Sequence, residues 1–527
     1  MIYHCEDHTC NYWDEGEKLP ERCPQCGRKL LRANEADMTG DDWTALGNTL
    51  WDAEASDKKR MVDCFRKAAY LGSAWGVCNL GICMEQGNGV EADPVQAFWL
   101  YQQAVEMGSL NAVCCLGVCY QYGIGTAPDA KQAAELYCKA AEYGSPRGQM
   151  LLARAFHDGI GVEADAAEAV HWVRAAAYQR YGEGMHRLGV CYEYGDGVEQ
   201  NWEHAVHWFR EAAESGVSVA MTDLGYCYEK GCGVEQSWEQ AFSWYRRGAE
   251  CGYPVSMSNL GLCYKRGYGV EQNWQEAVKW YEQGAQCGNL QSMHNLACCY
   301  EHGEGVEQNM TEAIRWYTAA AEGGNADAMH DLGWHYDHGE GVEQDMKKAI
   351  CWYERAAEQN HPAAMNSLGE CYAMGRGVPR DLETAMEWYR RAAELGEAMA
   401  DYNMGWHLEQ AGKLSEAYAH YRKAADGNDD SAWWALGRFY ENGVVVAQDG
   451  KEARRCYETG EKLGSVKCKM RLARCKLLGI GGRRAKKAGL DLCRQALELA
   501  KESSEKEDYG YEAEMNLLRR TIAENES

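Results

Sequence analysis

LGYCYEKGCGVEQSWEQAFSWYRRGAECG, Leu224 to Gly252, states a unit that the rest of the chain repeats. Stepping by 36 residues from its first Leu lands on Leu80, Leu116, Leu152, Leu188, Leu260, Leu296, Leu332, Leu368 and Met404, each followed by Gly or Ala. A period this regular marks a stacked array in which each unit buries its apolar face against its neighbours. The 527-residue length is then no obstacle to folding, because an array needs no single large core.

Each unit reads as two helices. In helix A, Ala220, Met221, Leu224 and Tyr228 fall on one apolar stripe. Its start is signalled seven residues before the Leu by Ser73, Ser109, Ser145, Asn289 and Asn325, with Pro146, Pro254 and Pro362 at the first helical position. A Gly-x-Gly-Val loop ends it, as at Gly197, Gly233 and Gly269. Helix B then starts at Asp93, Asp129, Asp165, Asn201, Ser237, Asn273, Asn309, Asp345 and Asp381, all good N-cap residues. Asn273 with Glu276 and Asn309 with Glu312 have the spacing of capping boxes. Helix B carries Trp172, Trp208, Trp244, Trp280, Trp316, Trp352 and Trp388, with alanines five residues on at Ala177, Ala213, Ala249, Ala285, Ala321, Ala357 and Ala393. Large beside small is what close helix packing needs, so these indoles are the expected bulk of the core.

The pattern A-x-x-x-L-G-x-x-Y-x-x-G-x-G-V-x-x-[DN]-x-x-x-A-x-x-W-[FY]-x-x-A-A-x-x-G resembles the Sel1-like repeat, a relative of the tetratricopeptide repeat. It covers residues 36–503, about thirteen helix-turn-helix units counting Leu46, Leu436 and Leu472. The expected fold class is all-α. The resemblance implies an α/α right-handed superhelical solenoid with helix A on its concave face, and a role as adaptor or assembly scaffold. The Met404 unit is shorter, with Gln410-Ala411-Gly412-Lys413 in place of the long loop, and is similar to a plain tetratricopeptide repeat. Residues 504–527 are expected as a final polar helix or tail.

Residues 1–35 are different in kind. Cys5-x4-Cys10 is followed by Cys23-Pro-Gln-Cys26-Gly, and the tight turn of the second pair aims two sulfurs at one point. Four thiolates, Cys5, Cys10, Cys23 and Cys26, form a tetrahedral shell for one structural zinc ion, with His4 or His8 as an alternative to one of them. The segment resembles a zinc ribbon. So short a module would need its metal to fold.

Net charge is −26, unevenly spread: from Lys451 onward 18 Lys/Arg face 13 Asp/Glu, leaving −31 on the first 450 residues. An acidic body disfavours general binding to nucleic acid or anionic membrane. No apolar run is long enough to span a bilayer, and MIYHCEDHTC lacks the basic and apolar regions of a signal peptide. With 25 cysteines at internal repeat positions, we expect reduced thiols in a cytoplasmic, bacterial protein. Cys83, Cys119, Cys191, Cys227, Cys263, Cys299 and Cys371 share one helix-A slot, which also holds His335 and Phe439, and read as packing residues.

Three positions vary along helix A: one before the Leu, two after and six after. They read Asp223, Tyr226, Lys230; Asn259, Leu262, Arg266; Asn295, Cys298, His302; Asp331, Trp334, His338; then Asn403 and Trp406. Variable aromatic and polar side chains on a constant scaffold fit a face that binds a protein or peptide segment. Asp331, His335 and His338 are spaced to meet on one helical face. Their region, His294 to His338, is where a metal-dependent enzyme would have its centre. No triad, phosphate loop or paired-acid constellation stands out, so catalysis is not expected. Lys467, Lys469, Arg471, Arg474, Lys476, Arg483, Arg484, Lys486 and Lys487 form an acid-free basic stretch. It suits a charged cap, a nucleic-acid-associated regulator working with the ribbon, or self-association with the acidic body of a second copy.

Overall fold

The computed structural model describes residues 2–5, 13–15, 30–33, 35–51, 55–506 and 511–526. Strands β1 (Ile2–Cys5), β2 (Trp13–Glu15) and β3 (Leu30–Ala33) form one antiparallel sheet with β1 in the middle. In its register Ile2 faces both Glu15 and Ala33, and Cys5 faces Leu30. Of the four expected zinc ligands, Cys10, Cys23 and Cys26 lie outside the described residues, and Cys5 is placed by its backbone alone.

From Gly40 onward the chain is a succession of A and B helices. It divides into two compact units, Met1–Asn273 and Trp274–Ser527. The first holds the A helices Gly40–Thr49, Ala74–Gln86, Leu110–Tyr122, Pro146–Asp158, Gly182–Tyr194, Ser218–Lys230 and Pro254–Arg266. The second holds Leu290–His302, Ala326–His338, Pro362–Met374, Ala398–Gln410, Asp430–Asn442 and Val466–Leu478. Within each unit an A helix packs on the B helix that follows it and, more lightly, on the one before. Successive A helices also touch, as Leu110–Tyr122 does with Pro146–Asp158, and Asp430–Asn442 with Val466–Leu478.

The expected starts are the observed ones. Ser73, Ser109, Ser145, Asn289 and Asn325 each cap an A helix by accepting a backbone N–H. Asp93, Asp129, Asp165, Asn201, Ser237, Asn309, Asp345 and Asp381 do the same for B helices. The Asn309–Glu312 pair is a one-sided cap and not a box, because the Glu312 carboxylate turns to Arg315 at 2.8 Å. A reciprocal box forms at Thr39 and Asp42, where the first A helix begins. In the loop after helix A, Gly233 has φ of 68°, and a Cβ there would fall 2.3 Å from the Trp202 carbonyl oxygen of the preceding repeat.

The core differs from expectation in which aromatic fills it. The fully buried rings are the residues after the tryptophans: Phe209, Tyr245, Tyr281, Tyr317, Tyr353 and Tyr389. Each stands one helical step round from the indole, pointing at helix A. The indoles of Trp172, Trp208, Trp280, Trp316, Trp352 and Trp388 are half-buried. Several carry a guanidinium, as Arg247 does 4.4 Å above Trp244 and Arg355 does 4.3 Å above Trp352. Gly225 explains the choice of ring: a Cβ there would lie 2.6 Å from the Tyr245 ring. The buried phenol is satisfied by the same helix A, since Tyr245 Oη donates to Glu229 at 2.8 Å. Tyr101 with Glu85 and Tyr137 with Gln121 repeat the bond in the first unit. Tyr317 with Glu301, Tyr421 with Glu409 and Tyr457 with Glu441 repeat it in the second. The cysteines of the shared slot are buried as expected, and burial pushes the thiols of Cys227 and Cys263 up to about 12.

Two measurements follow from this packing. Gly225→Ala adds a methyl where the Tyr245 ring lies, and it should lower stability by about 1–2 kcal/mol despite Ala's better helix propensity. Chemical denaturation of the two proteins reads the loss directly. Asp429 caps the helix Asp430–Asn442, and burial raises its pKa to about 6. A carboxylate with a raised folded pKa contributes its full stability below its unfolded value, about 3.9, and loses it as pH rises through 6. Asp429→Asn keeps the cap without the charge, so its melting temperature should exceed the parent's at pH 7.5. The two should converge by about pH 4.

Candidate interaction face

The three variable columns do not share one fate. The column before the Leu is largely spent on joining repeats. Asp223 accepts from His186 Nε2 at 2.7 Å, and Asp331 from His294 Nε2 at 2.9 Å. Asn403 donates to Asn366 at 3.0 Å and to Glu370 at 3.2 Å. His186, His294 and Asn366 lie two before the Leu of the preceding repeat and Glu370 two after it, so each bond is a rung between adjacent A helices. Asn295 takes a long bond from Gln291 within its own helix, and Asn259 is half-buried. Asp223, Asp331 and Asn403 thus also join adjacent repeats.

The other two columns face outward. In the first unit Tyr226 is 44% exposed, with the Lys230 ammonium 5.8 Å from its ring centre and paired to Glu229 at 2.7 Å. Leu262 and Arg266 are exposed beyond it. In the second unit Trp406 is 38% exposed. Trp334 is half-buried, and the exposed His338 ring stacks on it at 4.2 Å. His302 is exposed, its Nδ1 3.0 Å from the Cys298 carbonyl.

The histidines group differently from the spacing argument. His335 is 1% exposed and turns into the core, its Nδ1 3.0 Å from the Glu340 carbonyl, so it does not meet Asp331 and His338. Asp331 instead gathers His294 on one oxygen and His330 Nδ1, at 3.1 Å, on the other. Burial alone would lower the His294 pKa, but its bonds to Asp331 and Cys298 prevail and raise it to about 10.

One feature lay outside the central repeats that the columns were read from. In the first unit a cavity of about 520 Å³ is lined by Arg147, Arg154, His157, Asp158, Arg187 and Asp196. Arg154, Asp158 and Arg187 occupy the same three columns, so extending the count two repeats toward the N-terminus would have found it. Its charged groups are internally paired, with His157 bridging Asp158 at 2.6 Å and Asp196 at 3.3 Å, beside an apolar wall of Met150, Leu151, Val170 and Val173.

Three of the nine residues of the basic stretch are bonded within the second unit. Arg471 is held by both oxygens of Glu514 at 2.7 and 2.8 Å, and Arg474 pairs with Glu441. Arg484 donates to Leu477 O and Asn525. These bonds fasten the last helix, Glu512–Glu526, whose Met515 and Leu518 are buried against the array. Arg483, Lys486 and Lys487 remain exposed. Among the described residues no helix is long and apolar enough to cross a membrane.

Comparison with known proteins agrees with this architecture. The family model of the Sel1 repeat matches residues 76–109, 112–145, 146–181, 182–217, 218–253, 254–289, 290–325, 326–361, 362–397, 398–429 and 432–465. Among solved structures, a protective antigen present in uropathogenic Escherichia coli strains is 29% identical with a TM-score of 0.58, covering 81% of this chain and 94% of its own. A Sel1 repeat protein from Oxalobacter formigenes is 31% identical with a TM-score of 0.43, covering 46% of this chain and 96% of its own. No curated protein matches the chain.

Proposed function

Because the chain belongs to the Sel1-repeat family, we propose that it is a protein-interaction scaffold that holds a partner segment along its A helices. The observation that carries this reading is the exposure of an aromatic ring in the same helix-A column of each unit, Tyr226 in the first and Trp406 in the second. Exposing such rings has a solvation cost that the fold does not require, whereas aromatic anchors dominate protein interfaces. Trp334 with His338, and Tyr226 with Lys230, add flat surfaces with a polar edge. Asn259 and Arg266 in the first unit, and Asn295 and His302 in the second, would supply polar register on their own A helices.

In the same reading the N-terminal module binds one structural zinc ion through Cys5, Cys10, Cys23 and Cys26. Support comes from the β1–β3 register: Cys5 faces Leu30, so the chain returns beside Cys5 four residues after Cys26. The free thiols from Cys64 to Cys493 suit a reducing compartment, and we place the protein in the cytoplasm on that ground.

The triple variant Tyr226→Ala, Trp334→Ala, Trp406→Ala tests the scaffold. Partners captured from the native cell by the parent should bind it at least tenfold more weakly as purified proteins, with the helical circular dichroism unchanged. Equal affinity would overturn the assignment of the face. Metal analysis tests the module, with Cys23→Ser/Cys26→Ser expected to contain one zinc ion fewer than the parent.

A further inference from the structure

His294, Cys298 and Asp331 carry an inference that does not depend on the scaffold reading. His294 and Cys298 are one helical turn apart on Leu290–His302, so both side chains leave the same face. Asp331 reaches them from the next A helix, Ala326–His338. The imidazole Nε2, the thiol Sγ and the carboxylate oxygen all lie within 4.8 Å of one another. Nε2 is 2.9 Å from Asp331 Oδ2 and 3.8 Å from Cys298 Sγ.

We propose that these three residues bind a zinc-class divalent ion as an open three-ligand site bridging two successive repeats. With metal bonds of about 2.0 Å to nitrogen and oxygen and about 2.3 Å to sulfur, tetrahedral ligand atoms sit roughly 3.3–3.6 Å apart. The observed separations bracket that range, so side-chain shifts of about 1 Å or less would close the site. One nitrogen, one sulfur and one oxygen are a set suited to zinc or cobalt, whereas magnesium and calcium take oxygen alone.

The surroundings are those of a ligand set held from behind. His330 Nδ1 donates to the second oxygen of Asp331 at 3.1 Å. The Gln291 amide lies 3.4 Å from His294 Nδ1, and Tyr317 Oη, whose proton goes to Glu301, lies 3.3 Å from Cys298 Sγ. Such outer partners orient metal ligands. His294 is 13% and Asp331 34% exposed, so an ion can enter and a fourth position faces solvent. On binding, the ion takes the place of the proton shared by His294 and Asp331, and a thiol proton is released. It then ties the two A helices where other repeats have only a hydrogen-bonded rung. Among the described residues no other group of three such ligands lies as close.

Cobalt(II) titration of the full chain tests the proposal, in a Cys23→Ser/Cys26→Ser background that removes the N-terminal pair. The expected result is one ion per chain with a cobalt–thiolate charge-transfer band, displaced by zinc. His294→Ala and Cys298→Ser should abolish the band, and Asp331→Asn should weaken binding tenfold or more. Cys287→Ser, which removes an exposed thiol elsewhere, should change nothing. Asp331→Asn retains size and hydrogen bonding, so it stays informative if His294→Ala unfolds. Absence of a band, or a band that survives His294→Ala and Asp331→Asn, would overturn the site. Failure of the N-terminal zinc module would show separately, as a parent chain whose metal content Cys23→Ser/Cys26→Ser leaves unchanged.

Discussion

The structure depends on one repeated contact: the ring of helix B seated where helix A has no side chain. Gly225 leaves the space, Tyr245 fills it, and Glu229 accepts the phenol hydrogen. Shape and polarity are satisfied together. A Phe could fill the space, as Phe209 does against Gly189, but the hydroxyl adds direction. A buried phenol without an acceptor would cost about 1–3 kcal/mol, and at Tyr101, Tyr137, Tyr245, Tyr317, Tyr421 and Tyr457 helix A supplies one. The contact lies inside one hairpin, between helix A and the helix B that follows it.

Between hairpins the joints are smaller and more varied. Thr222 and Ser256 share a buried hydroxyl contact, His186 and Asp223 an ionisable one, and Asn366 and Asn403 an amide one. All occupy the edge where A helices meet. The variation is chemical and leaves the spacing unchanged, which is why it can be tolerated there. At His294, Cys298 and Asp331 the same edge gathers a metal-ligating set, an outcome of ordinary rung chemistry when histidine, thiol and carboxylate coincide.

Charge follows a similar division. The acidic body stays in solvent, while the basic end is turned inward on Glu441 and Glu514. A pair buried to that degree contributes less net stability than its geometry suggests, but removing one member strands the other. It therefore specifies where the last helix docks.

The 36-residue period, the caps and the loop glycines were legible in the chain because they are local. An N-cap is read from one residue and its neighbour three on, and Asp93 through Asp381 behave as local chemistry requires. The core ring was half legible. Trp and Tyr are adjacent in sequence and both aromatic, and only the 100° turn between them on a formed helix decides which one meets Gly225. The outward columns were legible as variable, but not as free or spent, since Asp223 and Tyr226 differ only in what stands across from them. His335 shows the same limit: its spacing matched Asp331 and His338, yet its slot is the buried one that Cys occupies elsewhere. Sequence alone determined the repeat, its helices and their ends, because these depend on residues a few positions apart. Tertiary structure decided which side chains join repeats and which stay exposed, because that depends on groups about 37 residues away brought within 3 Å.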